Sequence, residues 1–402
     1  MEQANAGLEK KAKKIFFGLE FINGIRRTIF FTLALLYFVS LGYNPVKVVA
    51  MFAVSGVILA VVEFPTGAFA DYYSRKKSIV MSFLLMGLGL VGMYFFKSFW
   101  MLSLMYILND IGWSFQSGTV TAWAIDILKY GKEHKKITSL IARFLFFERS
   151  GAIIGGFIGF FLISIQFSLV WLFIGSMCLI TAIVLAIVMP EGKMPRIDKR
   201  KGMLIGTFLQ AKESIVFILN KKNKELQGIA LATFIGIIAL YSFYIEVPLI
   251  LTTIMGLTPD KISGIKGLIG FVILTAPFIV EAFAHKIGFR RGFISTFLGL
   301  FAAITVFALS RNLAITIIAW TIMYVLDNVG SIMVDSAIQH RLTSKNRATL
   351  GSAMNALWSV SGALAAGFVS IGLLLVGLVP TTLLSASLCV IAATIYYVRI
   401  KA

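Results

Sequence analysis

The chain reads as a succession of long apolar runs separated by short polar segments. A hydrocarbon layer of ~30 Å takes about 20 apolar residues of helix to cross. Runs of that length are predicted as helices at 15–41, 48–70, 78–96, 99–128, 137–164 and 167–189. A second set is predicted at 225–255, 262–284, 291–310, 312–340, 348–376 and 380–398. No stretch between the runs exceeds about 35 residues, too little for a separate folded domain. The pattern therefore predicts an all-α polytopic membrane protein of twelve transmembrane helices.

Composition agrees, and charge adds a direction. Hydrophobic residues make up 58% of the chain and charged residues only 14%, against about 25% charged in a soluble domain. Mean hydropathy is +0.90. A formal charge of +19 raises the question of nucleic acid, but its placement excludes that reading. With the N-terminus inside, most Lys and Arg fall on one side: Lys10 to Lys14, Arg75 to Lys77, Lys129 to Lys136, the 190–224 segment, Lys286 to Arg291, Arg341 to Arg347, Arg399 and Lys401. The other side holds Lys47, Lys97, Lys261, Lys266 and Arg311. That is the positive-inside asymmetry, and it predicts cytoplasmic termini in a multi-pass protein of the cell membrane. The basic N-terminal stretch runs directly into a span too long for a signal-peptide core, so no cleaved signal is expected. Cys178 and Cys389 both lie in apolar runs, and the three His are scattered. No disulfide, metal or cofactor is expected from them. The chain carries no nucleotide-binding Gly-Lys-Ser/Thr segment, which argues against direct ATP drive.

The two sets of runs resemble each other. Ala68-Phe69-Ala70-Asp71 after the second run matches Ala282-Phe283-Ala284-His285 after the eighth, and the same spacing relates Gly42 to Gly256. Met105 to Gly112 echoes Met323 to Gly330, and Ser150-Gly151-Ala152 echoes Ser361-Gly362-Ala363. Matches in constant order predict two pseudo-symmetric six-helix bundles, 1–189 and 225–402, joined by a basic linker at 190–224. Within the linker, Met203 to Asn220 is predicted as an interfacial helix on the cytoplasmic leaflet. Such paired halves around a midplane cavity are how many secondary transporters are built.

The loop after the second run, Gly67-Ala68-Phe69-Ala70-Asp71-Tyr72-Tyr73-Ser74-Arg75-Lys76-Lys77, resembles the loop signature of the major facilitator superfamily. Ser74 stands where that signature usually has Gly. Its eroded echo between runs 8 and 9, the central linker and the span number extend the resemblance over the whole chain. Gly151, Gly155, Gly156 and Gly159 resemble the family's antiporter glycine motif, with Gly156 in place of its Pro. Ser117-Gly118 through Asp126 is similar to the end of span 4 in drug-efflux members. The Arg that many proton-coupled members carry earlier in span 4 is absent; Asn109 and Asp110 stand there instead. The resemblance implies a gate built from Gly67, Asp71, Arg75 and Asp126 at the cytoplasmic surface. Read from the residues alone, Arg75 to Lys77 are also sufficient as topology determinants.

Charges within the apolar runs point to the site. Each costs about 2.5–3.5 kcal/mol at mid-membrane, so each is a functional candidate. Glu20, Asn23, Arg26 and Arg27 lie in span 1, Asn109, Asp110 and Trp113 in span 4, Glu246 in span 7, Asp327 and Asn328 in span 10. An Arg26–Asp110 ion pair is expected, either as a static lock or with Asp110 or Asp327 changing partner on binding a cation or proton. Arg143, Glu148 and Arg149 lie in span 5, where Glu148, next to Arg149, is expected to pair across the helix interface. Trp113, Trp123, Tyr241, Tyr244 and Trp358 are candidates for an aromatic wall around a lipophilic or cationic ligand. The glycines of span 5 are expected to serve close helix packing.

The expected function is a monomeric secondary transporter working by alternating access, with the lipid bilayer as its surroundings. It exports a small amphipathic or cationic compound in exchange for H+ or another cation. Uptake or facilitated diffusion of a nutrient, ion or lipid is the rival within transport. A receptor or enzyme on the same scaffold is the rival outside it, without catalytic residues to support it.

Overall fold

A computed structural model describes residues 2–128, 134–191, 224–274, 289–341 and 344–399. Among the described residues the regular structure is helical throughout. The first half gives α1 (Glu2–Ser40), α2 (Pro45–Tyr72), α3 (Arg75–Phe95), α4 (Phe99–Gln116), α5 (Thr119–Ile127), α6 (His134–Ile165) and α7 (Leu169–Val188). The second gives α8 (Lys224–Thr253), α9 (Pro259–Ile273), α10 (Phe289–Leu309), α11 (Leu313–Arg341), α12 (Ser344–Leu375) and α13 (Leu378–Arg399). The expected interfacial helix at 203–220 lies outside the described residues.

Ten of these helices are long and apolar enough to cross a bilayer. The two expected spans missing from that set each have a reason. Run 8 (262–284) continues from α9 into residues outside those described. Run 4 (99–128) is not one helix but two, α4 and α5, broken where Gly118 takes φ +70°. An L-residue with a Cβ adopts that left-handed backbone only at a cost, and the apolar periodicity on either side of a single Gly gave no sign of the break. The second-half counterpart, α11, runs without interruption from Leu313 to Arg341.

Local chemistry sets the other helix ends. Gly42 turns the chain out of α1 at φ +89°, a left-handed closure that glycine supplies without strain. Asn44 then caps α2, its Oδ1 accepting from the Val46 amide at 2.8 Å, with Pro45 in the first helical position, where no amide is needed. Gly256, the residue matched to Gly42 in the internal repeat, also has positive φ (+66°). Ser74 caps α3 by accepting from the Lys77 amide at 3.2 Å.

The chain forms two compact units. Unit 1 comprises Met1–Tyr37, Ile58–Phe208 and Ser263–Gly270; unit 2 comprises Phe38–Val57, Leu209–Ile262 and Phe271–Ala402. In unit 1, α1 and α6 approach closely enough for backbones to meet. A Cβ on Gly24 would lie 1.9 Å from the Glu148 carbonyl oxygen, and one on Gly151 would lie 2.0 Å from that of Phe21. Stacked rings continue this seam, Phe17 on Phe147 at 4.9 Å and Phe16 on Phe144 at 6.0 Å. The other edge of α6 meets the 263–270 segment, where Ser263 Oγ donates to the Gly156 carbonyl at 2.9 Å. In unit 2, α13 packs on α8 and α10, with Tyr396 stacked on Phe293 at 4.4 Å and hydrogen-bonded to Thr233 at 2.9 Å.

Gly151→Leu is expected to destabilise the protein by about 1–3 kcal/mol, the usual cost of forcing atoms into a closed contact. Gly362→Ala, where a Cβ meets nothing within 4 Å, is the control. Thermal unfolding in detergent reads the difference, and equal midpoints for the two variants would refute the close-packing account.

Candidate functional site

Two turns of α1 and two of α4 present their polar residues to each other inside unit 1. Glu20, Asn23 and Arg27 follow each other at intervals of three and four, as do Asn109, Trp113 and Gln116, so each trio shares one helix face. Asn23 and Gln116 exchange two amide hydrogen bonds, at 3.3 and 3.2 Å. Both are almost completely buried, and the reciprocal pairing satisfies groups that would each be costly if left alone. Gln116 was not singled out from the sequence; its spacing from Asn109 was the available signal.

Arg26 is 2% exposed, deep in the bundle. The expected ion pair with Asp110 takes a different form. Arg26 Nη1 donates to Asn109 Oδ1 at 3.3 Å, and Asn109 Nδ2 donates to Asp110 Oδ1 at 3.2 Å. A neutral amide therefore stands between the two charges. Arg26 Nε has no hydrogen-bond partner although it is buried. The guanidinium is also 5.1 Å from the centre of the Trp113 ring, and that of Arg27 is 5.2 Å from it. The aromatic surface expected to receive a cationic ligand thus already takes two of the protein's own cations, an arrangement worth about 0.5–2 kcal/mol per contact.

Arg27 makes the cross-helix ion pair of this region. Its Nη1 lies 2.5 Å from Glu148 Oε1 on α6, with the two side chains 41% and 18% exposed. Glu148 thus pairs across the α1–α6 interface as the sequence led one to expect, with Arg27 as its partner. The Gly24 and Gly151 contacts are what let α6 come close enough. Glu20, 6% exposed, sits beside Asn23 and within electrostatic reach of both Glu148 and Arg27. Depth matters here. Arg27 is thirteen residues from the Ser40 end of α1, about 20 Å at ~1.5 Å per residue, well inside a ~30 Å hydrocarbon layer. A guanidinium at that depth needs a counter-charge or water within reach rather than lipid tails.

Unit 2 places its charges differently. Tyr244 donates its hydroxyl to Asp327, and its ring lies 5.2 Å from that of Tyr324. Asn328 Nδ2 donates to the Tyr324 carbonyl at 2.8 Å. Glu246, two residues beyond Tyr244 and so on another face of α8, is completely buried and accepts from Ser385 Oγ of α13 at 2.7 Å. It lies between helices within unit 2 and is not part of the Asp327 group. Trp123 is likewise buried, its indole donating to the Pro190 carbonyl at 3.1 Å, whereas Trp358 is 42% exposed.

Of the four residues expected to form a gate, Arg75 and Asp126 are in contact. Arg75 donates to Asp126 and, at 2.9 Å, to the Ala122 carbonyl. Arg75 opens α3 and Asp126 closes α5, so each charge sits at the helix end whose dipole opposes it. Pairing offsets both penalties. Asp71 lies in the last turn of α2, with its side chain outside those described. Gly67 has open space around it, so packing gives no reason for glycine there. Ser74, the departure from the family loop, donates to Glu191 at the start of the linker. The remaining glycines of span 5 are all in contact: Gly155 against Ile25, Gly156 against Gly267 and Gly159 against Ser263. Among the described residues no group of His, Cys, Asp and Glu has the arrangement of a metal site.

The family model described as Major Facilitator Superfamily matches residues 16–366. The uncharacterized MFS-type transporter YxaM of Bacillus subtilis (strain 168) is 27% identical over 219 residues, 54% of this chain and 53% of that protein. The chain thus spans about half the length of the curated relative it matches. Among solved structures, the nucleoside transporter NupG superposes with a TM-score of 0.71 at 13% identity, covering 98% of this chain and 99% of that one. A POT family transporter in complex with 5-aminolevulinic acid gives 0.76 at 14% identity, over 96% and 95%. A bacterial homolog of the human lysosomal transporter Spinster gives 0.72 at 14%, over 98% and 96%. At these identities the structures speak for the fold alone.

The water-facing side of α1 is open to direct test. Arg27→Cys is expected to react with a charged, membrane-impermeant thiosulfonate, because modification needs a thiolate in water. Leu33→Cys, at a completely buried position on the same helix, is expected to resist it. Mass spectrometry of the protein in nanodiscs reads both, and equal labelling would overturn the assignment.

Proposed function

The chain belongs to the Major Facilitator Superfamily, and on that footing we propose that it is a secondary transporter coupling movement of a small amphipathic solute to protons. The observation that carries this reading is the Arg27–Glu148 pair. A charge pair inside the span, with Arg27 against Trp113 and substantially exposed, supports a wet, polar face where a bilayer would otherwise exclude solutes. Carboxylates on or next to that face (Glu20, Asp110 and Glu148) are groups able to carry a proton through a transport cycle.

Two six-helix halves, 1–189 and 225–402, joined by the 190–224 linker, alternate access to the solute. Both termini lie in the cytoplasm and the protein resides in the cell membrane as a monomer. The Arg75–Asp126 contact is the cytoplasmic latch, made and broken once per cycle. Asp327, held by Tyr244, is the second half's acidic group. Export in exchange for H+ is the second reading, supported by the contacts of Gly151, Gly155, Gly156 and Gly159 and their likeness to the antiporter motif.

Proteoliposomes with an imposed pH gradient test the coupling. p-Aminohippurate serves as an organic anion and ethidium as an organic cation. Solute flux is expected to rise several-fold under a gradient of one polarity and to fall under the other. The accelerating polarity tells co-transport from exchange. Flux of both solutes indifferent to every gradient would remove proton coupling and leave facilitated diffusion.

A further inference from the structure

We propose that Glu246, with the hydroxyls of Ser242, Thr382 and Ser385, binds a sodium ion between α8 and α13. The site belongs wholly to unit 2, and the inference does not depend on the proton-coupled reading.

A carboxylate far from any basic side chain is the first ground. Glu246 is completely buried, seven residues from the Thr253 end of α8, or about 10 Å at ~1.5 Å per residue. The Lys and Arg of α8, α10, α12 and α13 all stand at the other end of their bundle. Lys224 begins α8, Arg290 and Arg291 lie in the first turn of α10, Lys345 and Arg347 in that of α12, and Arg399 ends α13. Arg399 is fourteen residues from Ser385, about 21 Å along the helix. A carboxylate so placed within a span either gives up its charge or draws in a cation.

The hydroxyl protons decide between those two. Ser242, Thr382 and Ser385 are each completely buried, and each hydroxyl has a single proton to give. Ser385 Oγ donates to Glu246 Oε1 at 2.7 Å. The other carboxylate oxygen, Oε2, is buried without a hydrogen-bond partner, and so is Ser242 Oγ. Ser242 precedes Glu246 by four residues and shares its face of α8. Thr382 stands beside the carboxylate, yet its proton goes to the Leu378 carbonyl at 3.1 Å, so it offers Glu246 lone pairs. A proton on Oε2 would need an acceptor, and among the described residues none lies within hydrogen-bond reach of that atom. A cation asks for the reverse, several oxygen lone pairs around one point that do not bond to each other. Sodium is close to calcium in size, and oxygens held at ~2.4 Å around one such ion stand roughly 3.4 Å or more apart. Carboxylate and hydroxyl oxygens suit a hard ion. One carboxylate neutralises one monovalent charge, whereas a divalent ion would leave a buried excess. The bound ion ties α8 to α13, so its occupancy is read in stability as well as in binding.

Binding of radioactive sodium to the purified protein in nanodiscs tests this, in mildly alkaline buffer, where protons compete least for the carboxylate. Choline chloride replaces sodium chloride so that ionic strength stays fixed. The wild type is expected to bind about one sodium per chain, and its unfolding midpoint to rise saturably by several degrees as sodium replaces choline. Lithium is expected to compete, and potassium to do so at least about tenfold less well, because the cavity is set for a smaller ion. Glu246→Gln keeps an acceptor for Ser385 but removes the charge, and is expected to lose the binding and the sodium-dependent rise together. Ser242→Ala is expected to weaken sodium at least about tenfold through the lost ligand, and Asp327→Asn to leave it unchanged. Where Glu246→Gln does not fold, Ser242→Ala and Ser385→Ala take its place. No sodium binding by the folded wild type, the outcome for an acid that holds only a proton, would overturn the proposal. Equal binding of potassium, undiminished sodium binding by Glu246→Gln, or its loss in a folded Asp327→Asn would each do the same.

Discussion

The polar seam of unit 1 depends on how a guanidinium is kept inside the hydrocarbon layer. A charge there needs a counter-charge, donors and acceptors in place, and water within reach. Arg27 has a counter-charge in Glu148, because Gly24 and Gly151 let the backbones of α1 and α6 meet. Arg26 has Asn109 and the ring of Trp113. Remove the glycine contact and the ion pair has no geometry; remove the ion pair and the close contact encloses a lone charge. Packing and electrostatics at this seam are one arrangement.

The same economy is visible at the end of the bundle that the charge asymmetry assigns to the cytoplasm. Arg75 and Asp126 each occupy a helix terminus of unfavourable sign, and each is there because the other is. An exposed ion pair of this kind contributes little to stability, about 0–1 kcal/mol. Ser74 adds a tie from the α3 cap to Glu191 at the start of the linker, using the position where the sequence departs from the family's loop.

Much of this was legible in the sequence because charges in apolar runs are conspicuous. Glu20, Arg26, Asp110 and Asp327 stood out for that reason, and the glycine pair Gly42 and Gly256 emerged as matching positive-φ turns. What the sequence withheld was rotation about each helix axis. Arg26 and Arg27 are adjacent in sequence but about 100° apart around α1, so one meets Asn109 and the other reaches α6. Tyr244 and Glu246 differ similarly, and only the first joins Asp327. Gln116 escaped notice because a neutral amide in an apolar run is less conspicuous than a charge, although its need for a partner is nearly as strict.

The break at Gly118 makes the fourth span two rods hinged at a residue without a side chain. A continuous helix transmits twist along its axis; a left-handed joint at φ +70° interrupts the ladder that would carry it. Turning α5 to release Asp126 therefore need not turn Asn109, Asp110 and Trp113 on α4. The unbroken α11 has no such joint between Asp327 and its far end. The two members of the repeat are thus mechanically unlike: one separates the Arg75–Asp126 contact from the polar face of α4 by a joint, and the other is a single unbroken rod.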